Sequence, residues 1–254
     1  MRIRFLAKYP KLGTRKNPAP VSALERSPYY WWYEYLRRNN DYLQCCKAGG
    51  DGPLSELYAD FGDVREDFRV WWGGKRARGA HLFGEQPMPN RMVVLRSRSD
   101  WRDEWAKGSM VTVAFNTNAG TRKLQKYLAT LLREQFGRKR GRRAMRTVES
   151  SARYPLFANF SVAELKKIVA VYDLAAANSK TTGLRALRTW QIGEQLRLVR
   201  TAMPSARDTR AEILDKRRSM SASVCKYKRL AAILIENVGY GEFPRKTRHA
   251  AKKS

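Results

Sequence analysis

TRAEILDKRRSMSASVCKYKRLAAILIENV, residues Thr209–Val238, is the stretch whose reading decides the fold. Thr209 followed three residues later by Glu212 has the form of a capping box, in which each side chain satisfies the other residue's backbone N–H, so a helix starts here. Gly239 closes the segment and Pro244 follows, the order expected beyond a helix C-terminus. Two readings stand between these marks. Ile213, Met220, Val224, Tyr227, Ala231, Leu234 and Val238 keep one heptad phase, interrupted only by Arg217, and predict a continuous helix of about 30 residues packed on its neighbours or on a second subunit. Alternatively, RSMS (218–221) is a turn between TRAEILDKR (209–217) and ASVCKYKRLAAILIENV (222–238). Both readings place Lys226 and Arg229 on a solvated, basic face, and the broken one turns Cys225 outward as well.

In its broken form the segment resembles a helix-turn-helix. SVCKYKRLAAI (Ser223–Ile233) is similar to the V-S-R-x-L-K-x-A stretch in recognition helices of bacterial repressors, with Arg218 where the turn normally carries Gly. The resemblance implies that the start of the second helix enters a major groove and that base reading comes from there.

Charge sets the partner class. The chain has 51 Lys and Arg against 23 Asp and Glu, a net charge of +28 over 254 residues. Self-repulsion on that scale is tolerable when an anionic partner neutralises it, and nucleic acid rewards Lys and Arg by releasing condensed counterions. The excess is uneven: residues 1–100 carry 18 basic and 11 acidic side chains, 101–150 carry 12 and 4, and 151–254 carry 21 and 8. GRKRGRRAMR (137–146) holds Arg138, Lys139, Arg140, Arg142, Arg143 and Arg146 with two glycines and no acid, and such a segment can track a phosphate backbone. Phosphate contacts are therefore expected from these six residues, from Arg217, Arg218, Lys226 and Arg229, and from Arg245 and Lys246 in the tail RKTRHAAKKS. Double-stranded DNA is the leading partner, with RNA in a ribonucleoprotein, or an acidic protein partner, as alternatives.

The chain is rich enough in apolar residues, at 43%, to exclude a disordered basic tail. Six of its seven Trp precede residue 106, so an aromatic core belongs to the N-terminal half. Ser27-Pro28 opens a helix through YYWWYEYLRR to about Arg38, with Tyr29, Trp32, Tyr33 and Leu36 on one face. This cluster reads as core in preference to a stacking platform for unpaired bases. PLSELYADF (53–61) and VREDFRVWW (64–72) are short helices, and a Gly/Pro-rich loop extends to Pro89. Met92–Arg96 and Met110–Phe115 are the strand candidates, and Leu124, Tyr127, Leu128, Leu131 and Leu132 form a helical stripe ending at Phe136. Further on, Ser161 with Glu164 fits a capping box and Phe160 with Leu165 a hydrophobic staple. Leu165, Ile168, Val169 and Tyr172 then face inward, and a second helix spans about Thr182 to Arg200.

These elements predict a mainly α protein with a small β component (α+β). A basic arm (1–27) leads to an aromatic-rich domain (28–136), a basic linker (137–149), a basic helical domain (150–244) and a tail (245–254). The arm is expected either to order on a partner or to lie over the first domain.

Catalysis is not expected. Two histidines, His81 and His249, cannot supply a histidine-based triad or zinc site, and no Walker loop or GxGxxG occurs. Asp60, Asp63, Glu66 and Asp67 leave a metal-dependent nucleic-acid enzyme as a further alternative, but they read as polar helix faces and first-turn acids. No cofactor or metal is expected. Cys45, Cys46 and Cys225 form no CxxC pair and suit a reducing compartment. The apolar run Leu230–Ile235 is too short to span a bilayer and MRIRFLAKYPKLG has no signal-peptide core, so a cytoplasmic, nucleoid-associated protein is expected, as a possible homodimer.

YYWWYEYLRRNNDY (29–42), LYADFGDV (57–64) and IENVGYGEFP (235–244) together resemble proteins carried on bacterial integrative elements and plasmids. The resemblance implies a mobile-element setting, in which the chain serves as a regulator or accessory factor, and it transfers no site residue.

Overall fold

The computed structural model describes residues 4–74, 78–85, 113, 118, 120–136, 150–158, 161–181 and 186–249. Its helices are α1 (Val21–Leu24), α2 (Pro28–Leu36), α3 (Asn40–Lys47), α4 (Ser55–Phe61), α5 (Phe68–Gly73), α6 (Arg78–Phe83), α7 (Thr121–Phe136), α8 (Val162–Ser179), α9 (Thr189–Gln195) and α10 (Arg210–Val238), with a 3-10 turn at Arg200–Ala202. The chain divides into Met1–Pro87 with Met145–Ser254 as one compact unit and Met88–Ala144 as another. Trp32, Tyr35, Phe61 and Trp71 belong to one buried cluster with Leu165, Ile168, Ala231, Leu234 and Phe243, so described residues on either side of 137–149 share a core.

α2 is the centre of that cluster. Ser27 caps it by accepting from the Tyr29 N–H at 3.3 Å, and Pro28 occupies its first turn. Tyr29, Trp31, Trp32, Tyr33, Tyr35 and Leu36 are all buried, so the helix is enclosed on more than the one face that its spacing marks. Buried ring polar groups need partners. The Tyr35 hydroxyl donates to the Leu165 carbonyl at 3.1 Å, Trp31 Nε1 donates to the Glu25 carbonyl at 2.8 Å, and the Tyr33 hydroxyl donates to the Glu66 carbonyl. Trp32 stands among Phe61, Phe83, Tyr154 and Phe243, with ring centroids 5.2–6.1 Å away. The three stretches 29–42, 57–64 and 235–244 thus converge on one ring.

The arm lies over this core. Phe5 packs edge-on against Tyr9 and Tyr29, the Ala7 N–H donates to the Tyr29 hydroxyl, and Arg69 donates to the Ala19 carbonyl at 2.6 Å. The tail is held as far as His249 by fully buried Asn237. Its amide donates to the Arg245 and Thr247 carbonyls at 2.8 and 2.7 Å, and its oxygen accepts from the His249 N–H at 3.0 Å.

Several expectations are revised. Among the described residues there is no sheet, only isolated bridges Arg4 to Glu85 and Gly13 to Pro18. The strand candidates lie outside the described residues except for Val113, which is in neither helix nor strand. The Gly/Pro-rich loop contains α6, whose Gly79 presses on Trp72 so closely that a Cβ would lie 2.3 Å from the ring. α3 is an additional helix capped by Asn39. Ser161 is the N-cap of α8 but makes no side-chain cap bond; Glu164 pairs with Lys246 at 3.4 Å, and Phe160 lies outside the described residues. Of the helix expected from Thr182 to Arg200, residues 182–185 lie outside the described residues; in the rest α9 is the α-helical part, and the chain turns after it with Arg197 at φ 47°.

The second unit, among the described residues, contains α7. Tyr127, assigned to its apolar stripe, is 77% exposed.

α10 runs unbroken for 29 residues, the continuous one of the two readings of this segment. Met220, in the middle of the supposed turn, is fully buried beside Val224 in a second cluster with Val171, Ile192 and Leu198. α9 crosses α10 there at Gly193, where a Cβ would lie 2.3 Å from Met220 Cγ. A residue that fills a helix crossing cannot also be a solvent-exposed turn.

Candidate nucleic-acid interface

α10 is fixed at both ends before any charge is considered. The Thr209 hydroxyl accepts from the Glu212 N–H at 3.3 Å, and Glu212 Oε2 accepts from the Thr209 N–H at 2.7 Å. That backbone bond holds the Glu212 carboxyl below its ordinary pKa. Lys216 Nζ meets both Asp208 oxygens at 2.7 Å, and this ammonium, with the Ser205 N–H, holds the Asp208 carboxyl below its ordinary range. At the other end buried Asn39 donates from Nδ2 to the Ile235 carbonyl at 2.8 Å while capping α3. Met220, Val224, Ala231, Leu234, Ile235 and Val238 hold the inner face.

The outer face is cationic. Cys225, Lys226, Lys228 and Arg229 are exposed, as expected for Lys226 and Arg229, and the three cations have no carboxylate within 4.0 Å among the described residues. Arg218, 83% exposed, faces Asp215 at 3.4 Å, a surface pair that contributes ~0.5 kcal/mol at most and leaves the guanidinium open to other anions. Arg217 differs. Its guanidinium lies 4.1 Å from the centroid of the Trp190 ring on α9, which explains how a cation interrupts the apolar stripe without breaking the helix.

Arg245 is bound to Glu242 and to the Thr247 hydroxyl and sits over the Phe157 ring at 5.1 Å. Lys246 is exposed and meets Glu164. Burial pushes the Glu242 carboxyl up, but His249 and Arg245 outweigh it and hold its pKa below the ordinary value. Arg138, Lys139, Arg140, Arg142, Arg143 and Arg146 lie outside the described residues. The site residues brought together on one element are thus Arg217, Arg218, Lys226 and Arg229.

The acids near α4 and α5 have structural partners. Asp60 meets Arg153 and the Tyr154 hydroxyl, each at 2.6 Å; Asp63 meets Arg65; Asp67 caps α5 through the Arg69 N–H at 2.8 Å. Among the described residues no group of three His, Cys, Asp or Glu is placed to hold a metal ion, and no helix is long and apolar enough to cross a membrane.

Lys228 and Trp190 escaped the sequence reading. Lys228 stands four residues after Val224 and three before Ala231, both buried, so helical spacing alone did not mark it as exposed. Trp190 was signalled by being the lone Trp after residue 105 and by an arginine in an otherwise apolar stripe. No protein-family model, curated protein or solved structure matches the chain.

Proposed function

We propose that this chain binds duplex nucleic acid, DNA in the first place, by neutralising backbone phosphates with the exposed cations of α10, as a regulator or accessory factor of a mobile element. The observation that carries the proposal is the trio Lys226, Lys228 and Arg229, exposed within about one helical turn and unanswered by any carboxylate among the described residues. Cations fixed on a rigid element lose little freedom on meeting phosphates, and each contact releases counterions. Such contacts position a protein on a duplex without reading its sequence. Base reading from the start of a recognition helix is not part of the proposal, because residues 222–229 are mid-helix. Burial of Trp31, Trp32, Tyr33 and Tyr35 removes the rings that a single-strand binder would offer to unstacked bases. The basic segment 138–146, with six cations and no acid, is proposed to make phosphate contacts of its own.

The test replaces Lys226, Lys228 and Arg229 together by Gln and compares binding to a duplex DNA, a single strand and a structured RNA. The proposal expects the duplex affinity to fall and its salt slope to shrink by ~2.7, three contacts at about 0.9 each. Unchanged duplex binding in the triple variant would remove the α10 face from the interface. A preference of the wild-type chain for structured RNA would replace DNA by RNA as the partner, and Mg²⁺-dependent cleavage would replace binding by catalysis.

A further inference from the structure

We infer that Arg217, stacked on Trp190, is a preorganised fork for a phosphodiester group; the inference rests on the phosphate-binding reading of α10. Three other half-buried arginines, Arg38, Arg69 and Arg245, provide the contrast. Arg38 gives Nε and Nη2 to the two Asp173 oxygens at 2.8 and 2.6 Å and Nη1 to Glu34. Arg69 reaches the Ala19 carbonyl and Asp67. Arg245 is also stacked on a ring, and its donors are used by Glu242 and Thr247. Arg217 is stacked more closely, at 4.1 Å, yet its donors meet no acceptor among the described residues. Asp215, two residues away, faces Arg218, and Glu194, one turn beyond Trp190 on α9, makes no ion pair with it.

A guanidinium loses little hydration when one face lies on an aromatic ring, while the N–H edge stays free to bond a planar or tetrahedral oxyanion in two places. Trp190 therefore supplies orientation without neutralising the charge. The position is itself fixed, because α9 and α10 meet at the Gly193–Met220 contact immediately beside it. The surroundings favour an anion: Arg210 lies two turns earlier on the same side of α10, Arg200 lies on the 3-10 turn packed against α10, and both are exposed without a carboxylate partner among the described residues. A phosphodiester satisfies the bidentate geometry and the local charge together.

The experiment measures binding of a labelled 20-base-pair DNA duplex across a salt series for the wild-type chain and for Arg217→Gln, Arg217→Lys and Lys166→Gln. Glutamine keeps a planar group on Trp190 and removes the charge; lysine keeps the charge and removes the planar fork. Lys166, an exposed α8 residue paired with Glu25, supplies a control with the same change in net charge as Arg217→Gln. Arg217→Gln is expected to weaken binding about tenfold and to reduce the salt slope by ~0.9, with Lys166→Gln shifting both far less. Arg217→Lys is expected to keep the slope and still bind less tightly. Equal effects of Arg217→Gln and Lys166→Gln on a steep wild-type slope would overturn the fork and leave the phosphate reading standing. A wild-type chain without a salt slope would overturn the phosphate reading itself. Should Arg217→Gln lose helical structure, Arg217→Lys decides: wild-type affinity in that variant overturns the fork.

Discussion

Asn237 bears more of the local structure than its size suggests. Its amide group is fully buried and satisfied three times over, by two carbonyls and one N–H of the segment that follows α10. Replacing it by Ala strands those groups, so Asn237→Ala is expected to cost ~2–3 kcal/mol in denaturant unfolding. Asn237→Asp should be worse at pH 7, because a carboxylate would face the Arg245 and Thr247 carbonyls. From sequence, Asn237 follows Glu236 just beyond the apolar run Leu230–Ile235, and nothing adjacent named its partners. Arg217 was visible: a cation in an apolar stripe is conspicuous. What accommodates it, Trp190, lies on another helix, and no local spacing connects the two. Lys226 and Arg229 needed no partner to be read, since exposure follows from helical period alone.

α10 is the element on which the candidate interface depends, and its start is sensitive to pH. The Asp208 and Glu212 carboxyls both titrate below their ordinary values because Lys216 and the Thr209 N–H favour their charged forms. A depressed folded-state value gives stability that is present above the unfolded value and lost as pH falls through the folded one. Melting followed by circular dichroism should therefore show Thr209→Ala less stable than wild type by ~1 kcal/mol at pH 7, with the gap narrowing below the ordinary carboxylate range. Continuity of the helix has its own test. Met220→Pro is expected to cost ~3 kcal/mol or more, where a turn would tolerate it, and Gly193→Ala ~1–3 kcal/mol by overpacking Met220. The heptad phase from Ile213 to Val238 and the Thr209–Glu212 box were legible because both are local. α6 was not, because Gly79 and the glycines and prolines flanking the helix signalled a loop, and only the Trp72 ring explains why Gly79 sits in a helix. Ser161 and Glu164 had the right spacing, but Lys246, distant in sequence, engages the glutamate.

At the scale of the molecule, charge and packing divide the chain differently. Composition changes after Phe136, from tryptophan-rich to strongly basic, and suggested a domain boundary there. The core ignores that change: Trp32 and Tyr35 meet Phe243, the Tyr35 hydroxyl reaches the Leu165 carbonyl, and Arg38 clasps Asp173. A composition shift reports what faces solvent, whereas a unit is defined by which apolar faces meet, and the meeting of α2 with α8 and α10 is a long-range event. The aromatic half thus acquires a role, as the anchor that holds α10 with its cations outward. The measurement that tests the central claim most directly is the dependence of duplex DNA affinity on salt for the intact chain. A linear fall of log K with log salt, with a slope of about −3 or steeper for at least three phosphates neutralised, is the predicted result. Binding that is weak and indifferent to salt would contradict the account.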